Sequence, residues 1–329
     1  MGRHVAGECP ELDRYVDDVC ADIGREVEAL ALPRLAGVVL GGGYGRGEGG
    51  MRASGTRPCL YNDLDFFAIT EEGASSAEIV AISAALKPVS REWTAKVGID
   101  VDFIVRTPWR IRHDQERLMI QELVRGYFDV AGRKGEELFA GVARNDASAV
   151  PWMEAARLMM NRGMGLLFAM PSESGRQNPY GASCDADFVS RNINKCVLGV
   201  GDAFLVSRGL YRWRAEERVA ALAAQGDDGL YARAVEWKFR PREEPVCDWE
   251  TARETWLGGH MEVLAAVGDG DYRRTLRNAA RWLVRRRSIG ELRTFALDPV
   301  VRVLECVERH VRDRTAPDDS LMRDWRVFN

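Results

Sequence analysis

Three aspartates interrupt runs that otherwise read as buried strands, and a buried carboxylate is costly unless a cation or a set of donors meets it. Leu60-Tyr61-Asn62-Asp63-Leu64-Asp65-Phe66-Phe67-Ala68-Ile69 carries two of them. Val97-Gly98-Ile99-Asp100-Val101-Asp102-Phe103-Ile104-Val105 carries the third, Asp102, with Asp100 two positions earlier. Side chains two apart on a strand share a face, so this spacing predicts Asp63 and Asp65 side by side. Such a pair repels unless a cation or proton neutralises it. Hard oxygen ligands suit Mg²⁺ or Mn²⁺, and Mg²⁺ is commonly held by one or two carboxylates together with substrate phosphates. A third carboxylate from a neighbouring strand would complete a two-metal arrangement. Asp63, Asp65 and Asp102 are therefore the expected metal ligands and catalytic carboxylates, while Asp100 reads as an outer acid.

A glycine-rich turn precedes them. The apolar stretch Leu35–Leu40 reads as a strand that runs directly into Gly41-Gly42-Gly43-Tyr44-Gly45-Arg46-Gly47-Glu48-Gly49-Gly50. Glycines permit a tight turn and a close approach of backbone to ligand, and successive N–H groups in such a turn form a concavity for anionic oxygens. Arg46 adds a fixed charge with bidentate reach. The run has neither the lysine and Ser/Thr of a Walker A motif nor a clean dinucleotide fingerprint. A glycine turn alone is often a plain connection, and an Asp-x-Asp pair alone is often a solvated strand end. The two features together, with Asp102, carry the reading.

These residues resemble the polymerase-beta-like nucleotidyltransferase superfamily. The matching elements are Gly42-Gly43-Tyr44-Gly45-Arg46-Gly47-Glu48, then Asp63-Leu64-Asp65-Phe66, then Val101-Asp102-Phe103. The resemblance implies that Gly42, Gly43 and Arg46 bind phosphate and that Asp63, Asp65 and Asp102 bind divalent metal. It spans about residues 35–106. Gly43 stands where that superfamily commonly has Ser, and Asn62 where Ser is frequent before the first Asp. A catalytic domain followed by helices is similar in arrangement to aminoglycoside nucleotidyltransferases and small bacterial relatives. The implied reaction moves a nucleoside monophosphate from a nucleoside triphosphate, ATP being the expected donor, to a hydroxyl or other nucleophile, with pyrophosphate released. The competing reading from another class is a nucleotide-binding regulatory or antitoxin-like protein with little turnover.

Elsewhere the patterning is helical. Leu12, Val16, Val19, Ile23, Val27 and Leu30 recur at helical spacing within 11–34, and Pro33 sets the end at or before Leu32. A further helix is expected from Ser75 to Leu86. Beyond residue 110 long mixed stretches (112–128, 150–170, 188–209, 212–224, 251–267, 272–287 and 298–312) read as helices. The expected fold is α+β, with a small mixed-sheet nucleotidyltransferase domain over 1–110 and a mostly helical, substrate-enclosing domain over 111–329. In the latter, Arg191 and Lys195 lie four apart and share a helix face. Lys195 is the expected triphosphate contact there, an ordinary solvated face being the alternative. Arg273, Arg277 and Arg281 form a second basic stripe that reads as surface charge, and Glu116 is a candidate acceptor base.

The chain has 329 residues with 46 Lys and Arg against 50 Asp and Glu, a formal charge of −4. That balance does not suggest a general nucleic-acid binder, whose footprint is normally a basic surplus. It favours a small-molecule acceptor, with a transfer RNA end or a protein side chain still compatible. Seven dispersed cysteines without a close pair read as reduced thiols. No apolar run is long enough for a membrane span, and the expected location is cytoplasmic.

Overall fold

The computed structural model describes residues 2–54, 57–171, 185–265 and 299–328. The chain divides into two compact units, one of Met1–Asp146 with Lys238–Pro241, the other of Ala147–Trp237 with Arg242–Asn329. A small mixed-sheet region thus precedes a mostly helical one. The first unit runs past the expected limit of residue 110, because one more strand and three short helices complete it.

In the first unit α1 (Pro10–Ala29) forms as its periodicity requires. It buries Leu12, Val16, Val19, Cys20, Ile23 and Val27 on one face, while Leu30 falls at the C-cap and is exposed. Strand β1 (Leu35–Leu40) ends in the single helical turn α2 (Gly42–Gly45). Strands β2 (Met51–Ser54) and β3 (Arg57–Leu60) form a separate antiparallel pair. Strand β4 (Leu64–Thr70) is followed by α3 (Ser76–Val97) and β5 (Val101–Arg106). A capping box between Ser75 and Glu78 starts α3. The helix outruns the expected Leu86 and passes through Pro88, since Ile82, Leu86, Val89 and Trp93 keep one face buried, and Gly98 ends it in the left-handed region. The segment expected as one helix over 112–128 is instead α4 (Pro108–His113), α5 (Leu118–Leu123) and the start of β6 (Phe128–Gly132). A short α6 (Gly135–Leu138) follows.

The four-stranded sheet has the order β5-β4-β1-β6. Strand β4 pairs parallel with β5, and β1 pairs antiparallel with both β4 and β6. Residue alternation splits the sheet between two cores. Leu64, Phe66 and Val101 pack with α1 and α3 residues such as Ile23, Leu86 and Trp93. Val39, Phe67 and Ile69 pack with Ile111, Ile120, Leu123 and Leu138 on the other face.

The second unit contains α7 (Trp152–Phe168), α8 (Ala186–Ser207), α9 (Ala215–Ala223), most of α10 (Leu230–Phe239, whose last two residues belong to the first unit), α11 (Trp249–Ala265), α12 (Pro299–Asp313) and α13 (Asp319–Phe328). The methionine-rich segment of α7 is core: Met153, Met159, Met160, Met164, Leu166 and Leu167 are all buried. Trp249 and Trp256 of α11 donate their indole N–H groups to the Leu166 and Met159 carbonyls. The tail is packed through Trp325, which donates to Asn161 at 2.8 Å and meets Phe168 edge-on. The basic stripe of Arg273, Arg277 and Arg281 lies outside the described residues. Among the described residues no helix is long and apolar enough to cross a membrane.

Candidate functional site

The sheet's connectivity decides where the acids and the glycine turn meet. Because β1 and β4 are antiparallel, the end of β1 lies beside the start of β4, and the Gly41 amide donates to the Asp65 carbonyl at 2.8 Å. Because β4 and β5 are parallel, Asp65 and Asp102 are register partners, about 4.8 Å apart along the hydrogen-bonding direction. Both share the parity of Phe67, Ile69 and Ile104, so they lie at the end of the sheet face that carries the second core. Asp102, Asp65 and the glycine turn thus occupy adjacent strands at one sheet end.

Gly42 is fitted to this arrangement. Its φ of +61° lies in the left-handed region, and a Cβ there would overlap the Asp65 carboxylate. Gly43 has ordinary backbone, and a Cβ on it would meet nothing nearer than the Glu48 carbonyl oxygen at 3.3 Å. The turn is closed from within. Gly45 donates to the Gly41 carbonyl at 2.8 Å, and Glu48 donates to the Gly43 carbonyl at 2.8 Å.

Asp63 is not on the strand. The expected strand over 60–69 is broken at Tyr61–Asp63, between β3 and β4, so spacing alone does not put Asp63 on the Asp65 face. Distant residues impose the break. The Tyr44 hydroxyl accepts from the Tyr61 amide at 3.0 Å and donates to the Gly50 carbonyl at 2.7 Å, while Asn62 accepts from the Gly50 amide at 2.6 Å. Tyr44 is fully buried, and burial drives its phenol pKa upward, which keeps it a neutral donor. Asn62, noted in the sequence as a departure, fastens the acidic segment to the glycine loop.

The acids feel one another. The carboxyl of Asp102 is held above the ordinary aspartate range, first by partial burial, then by the charges of Asp100 and Asp63. A carboxylate raised in this way binds its proton more tightly folded than unfolded. Stability is then lost as pH rises from the usual value of 3.8 through the raised one, and the penalty persists above it. Asp102→Asn is accordingly expected to unfold at a higher temperature than the parent at pH 7. The gain should vanish below pH 3.8, where aspartate is neutral in both states. Thermal melts across this range that run parallel for the two proteins would refute the crowding of charge at Asp102.

The donor set fits a divalent cation in its chemistry, being hard oxygens with mutual repulsion beside a backbone turn that a Cβ would fill. It is not converged: among the described residues, no three His, Cys, Asp or Glu side chains are grouped so as to hold a metal ion.

Arg46 faces two acids. Its guanidinium lies 3.2 Å from Glu122 on α5 and 3.8 Å from Glu48. Glu48 is itself almost wholly buried and receives Lys238 at 3.0 Å. Sequence reasoning missed this chain of charges, because Glu122 and Lys238 are remote along the chain and their surroundings carry no motif. Lys195 is exposed on α8 in the second unit, between buried Asn194 and Cys196, and Arg191 pairs with Asp187 at 3.1 Å. Glu116 belongs to the first unit, between α4 and α5, and not to the helical domain. Compared with family models, with curated proteins and with solved structures, the chain matches none of them.

Proposed function

We propose that the chain is a nucleotidyltransferase that moves a nucleoside monophosphate from a nucleoside triphosphate, ATP favoured, to a hydroxyl of a small-molecule acceptor. The observation that carries this reading is the meeting of Asp65, Asp102 and the Gly42 turn on three adjacent strand ends. Gly42 lacks the Cβ that would push Asp65 away.

Asp63, Asp65 and Asp102 would hold Mg²⁺ or Mn²⁺, whose contribution is to neutralise phosphate charge and acidify the acceptor hydroxyl. Gly42 and Gly43 open α2, where no intrahelical carbonyl precedes their N–H groups, so these groups are available to phosphate oxygens. Arg46 adds positive charge behind the turn, with Glu122 and Glu48 fixing its direction. The acceptor oxygen bonds to the α-phosphorus, the α–β bridging P–O bond breaks, and pyrophosphate leaves while the hydroxyl proton passes to solvent or a local base.

The test is incubation of the purified chain with each labelled triphosphate, Mg²⁺ and candidate acceptors or a metabolite extract. Acceptor-dependent pyrophosphate release is the expected result. Saturable nucleotide binding without product would instead assign a nucleotide-binding module, and neither binding nor product would remove the reading.

A further inference from the structure

On the β6 side of the glycine turn the first unit contains a cleft of about 640 Å³. Five cationic side chains line it: Arg3, Arg46, Arg125, Lys134 and Arg144. Only Asp129 and Glu136 oppose them among the lining residues. Asp17 pairs with Arg3, and Glu48 and Glu122 pair with Arg46, from outside the lining, so the cationic character of the wall comes chiefly from Arg125, Lys134 and Arg144, and a concave wall concentrates its field on whatever enters.

The cationic wall is built by the fold. Arg46 lies across Gly126, where any Cβ would overlap its side chain, and the Tyr127 ring lies over Gly135 in the same way. Arg125 is fastened by donating to the Gln121 side chain, to the Gln121 carbonyl and to the Asn145 carbonyl. Arg3 is fixed by Asp17 at 3.0 Å and by the face of Phe128. Burial and the neighbouring Arg144 both disfavour the charge on Arg125, with Asp146 partly offsetting them. Two guanidiniums held near each other are relieved by an anion between them. Lys134 is mostly exposed and 3.9 Å from Asp129, a loose pairing that leaves its donors able to turn inward.

We propose that this cleft is a binding site for a phosphate-class polyanion, separate from the Gly42–Gly43 turn and from Asp63, Asp65 and Asp102. Guanidinium forks match phosphate oxygens in pairs, and a space of this volume takes a group as large as a pyrophosphate or a phosphorylated sugar. A polycationic acceptor would be repelled here. The site shares Arg46 with the phosphate contacts proposed above, but its other cations do not belong to them, and it does not require the nucleotidyltransferase reading.

Pyrophosphate without metal is the probe, titrated by calorimetry into the full chain and into Lys134→Gln/Arg144→Gln, both exposed positions whose loss leaves the packed residues in place. Saturable binding to the parent is expected, weakening steeply with salt. The double variant should bind at least about tenfold more weakly, the loss expected when charge-assisted contacts are removed. Nucleoside triphosphate with Mg²⁺ is then titrated into both proteins. Unchanged affinity marks a cleft that receives a separate phosphorylated molecule, whereas a parallel loss marks one that receives the nucleotide's own polyphosphate and overturns the separation. Equal pyrophosphate affinity in the two proteins, or no binding to the parent, overturns the site. Failure of the nucleotidyltransferase reading shows differently: the cleft still binds pyrophosphate while the chain takes up no nucleotide.

Discussion

Asp65→Asn is expected to fold and to lose metal-dependent turnover by about a hundredfold or more, the scale reached when one preorganised charge-stabilising group is removed. The substitution keeps the shape of the side chain and removes its charge. Asp65 sits second in β4, with the Gly41 amide on its carbonyl and Asp102 as its register partner. The backbone bond remains in the asparagine variant, so the sheet end should keep its geometry, and one source of carboxylate repulsion disappears. The expected signature is therefore a melting temperature at or above that of the parent together with a steep fall in pyrophosphate release. Activity within a few-fold of the parent in a folded Asp65→Asn protein would remove Asp65 from the metal-binding set and, with it, the basis for the reaction proposed here.

Gly42→Ala should lower both stability and turnover, and by more than Gly43→Ala does. The left-handed backbone at Gly42 costs an alanine roughly 1–2 kcal/mol. The new methyl group must also displace the Asp65 carboxylate, so turnover should fall further than the change in stability alone requires. Gly43→Ala is the control on the same turn: its Cβ meets the Glu48 carbonyl oxygen at 3.3 Å, which a shift of a few tenths of an ångström relieves. Paired chemical denaturation and pyrophosphate-release measurements check the contrast. Equal losses in the two variants would mean that the approach of Gly42 to Asp65 has no bearing on the reaction.

The elements that sequence reasoning located well are those set by local pattern. The α1 face is written in residues three and four apart, and β1 is a short apolar run closed by glycines. The carboxylates of Asp65 and Asp102 stood out because acids are rare inside apolar strands. What made them register partners is the parallel pairing of β4 with β5, which no single segment specifies. The displacement of Asp63 from the strand goes with Tyr44 and Gly50 holding the two residues before it, Tyr61 and Asn62, a tertiary effect that overrides a strand-like stretch. Strand β6 escaped notice for a related reason. Phe128-Asp129-Val130-Ala131-Gly132 is short and lacks alternation, and its partner β1 lies some ninety positions earlier. The limit at 110 failed with it, since without β6 nothing in the sequence asks for residues 111–146 to stay with the sheet.

The return of Lys238–Pro241 to the first unit bears on whether that unit can be excised. Glu48 is 2% exposed, and its ammonium partner arrives from a point more than a hundred residues after β6. A fragment ending at Asp146 would contain every described strand, the glycine turn and all three aspartates, yet it would take the Lys238 ammonium away from the buried Glu48 carboxylate. Removing one member of a buried ion pair is far more damaging than exchanging both. The glycine loop that carries Glu48 is the same loop that positions Gly42, so autonomy of the small unit and integrity of its turn are coupled through a residue far outside the contiguous segment.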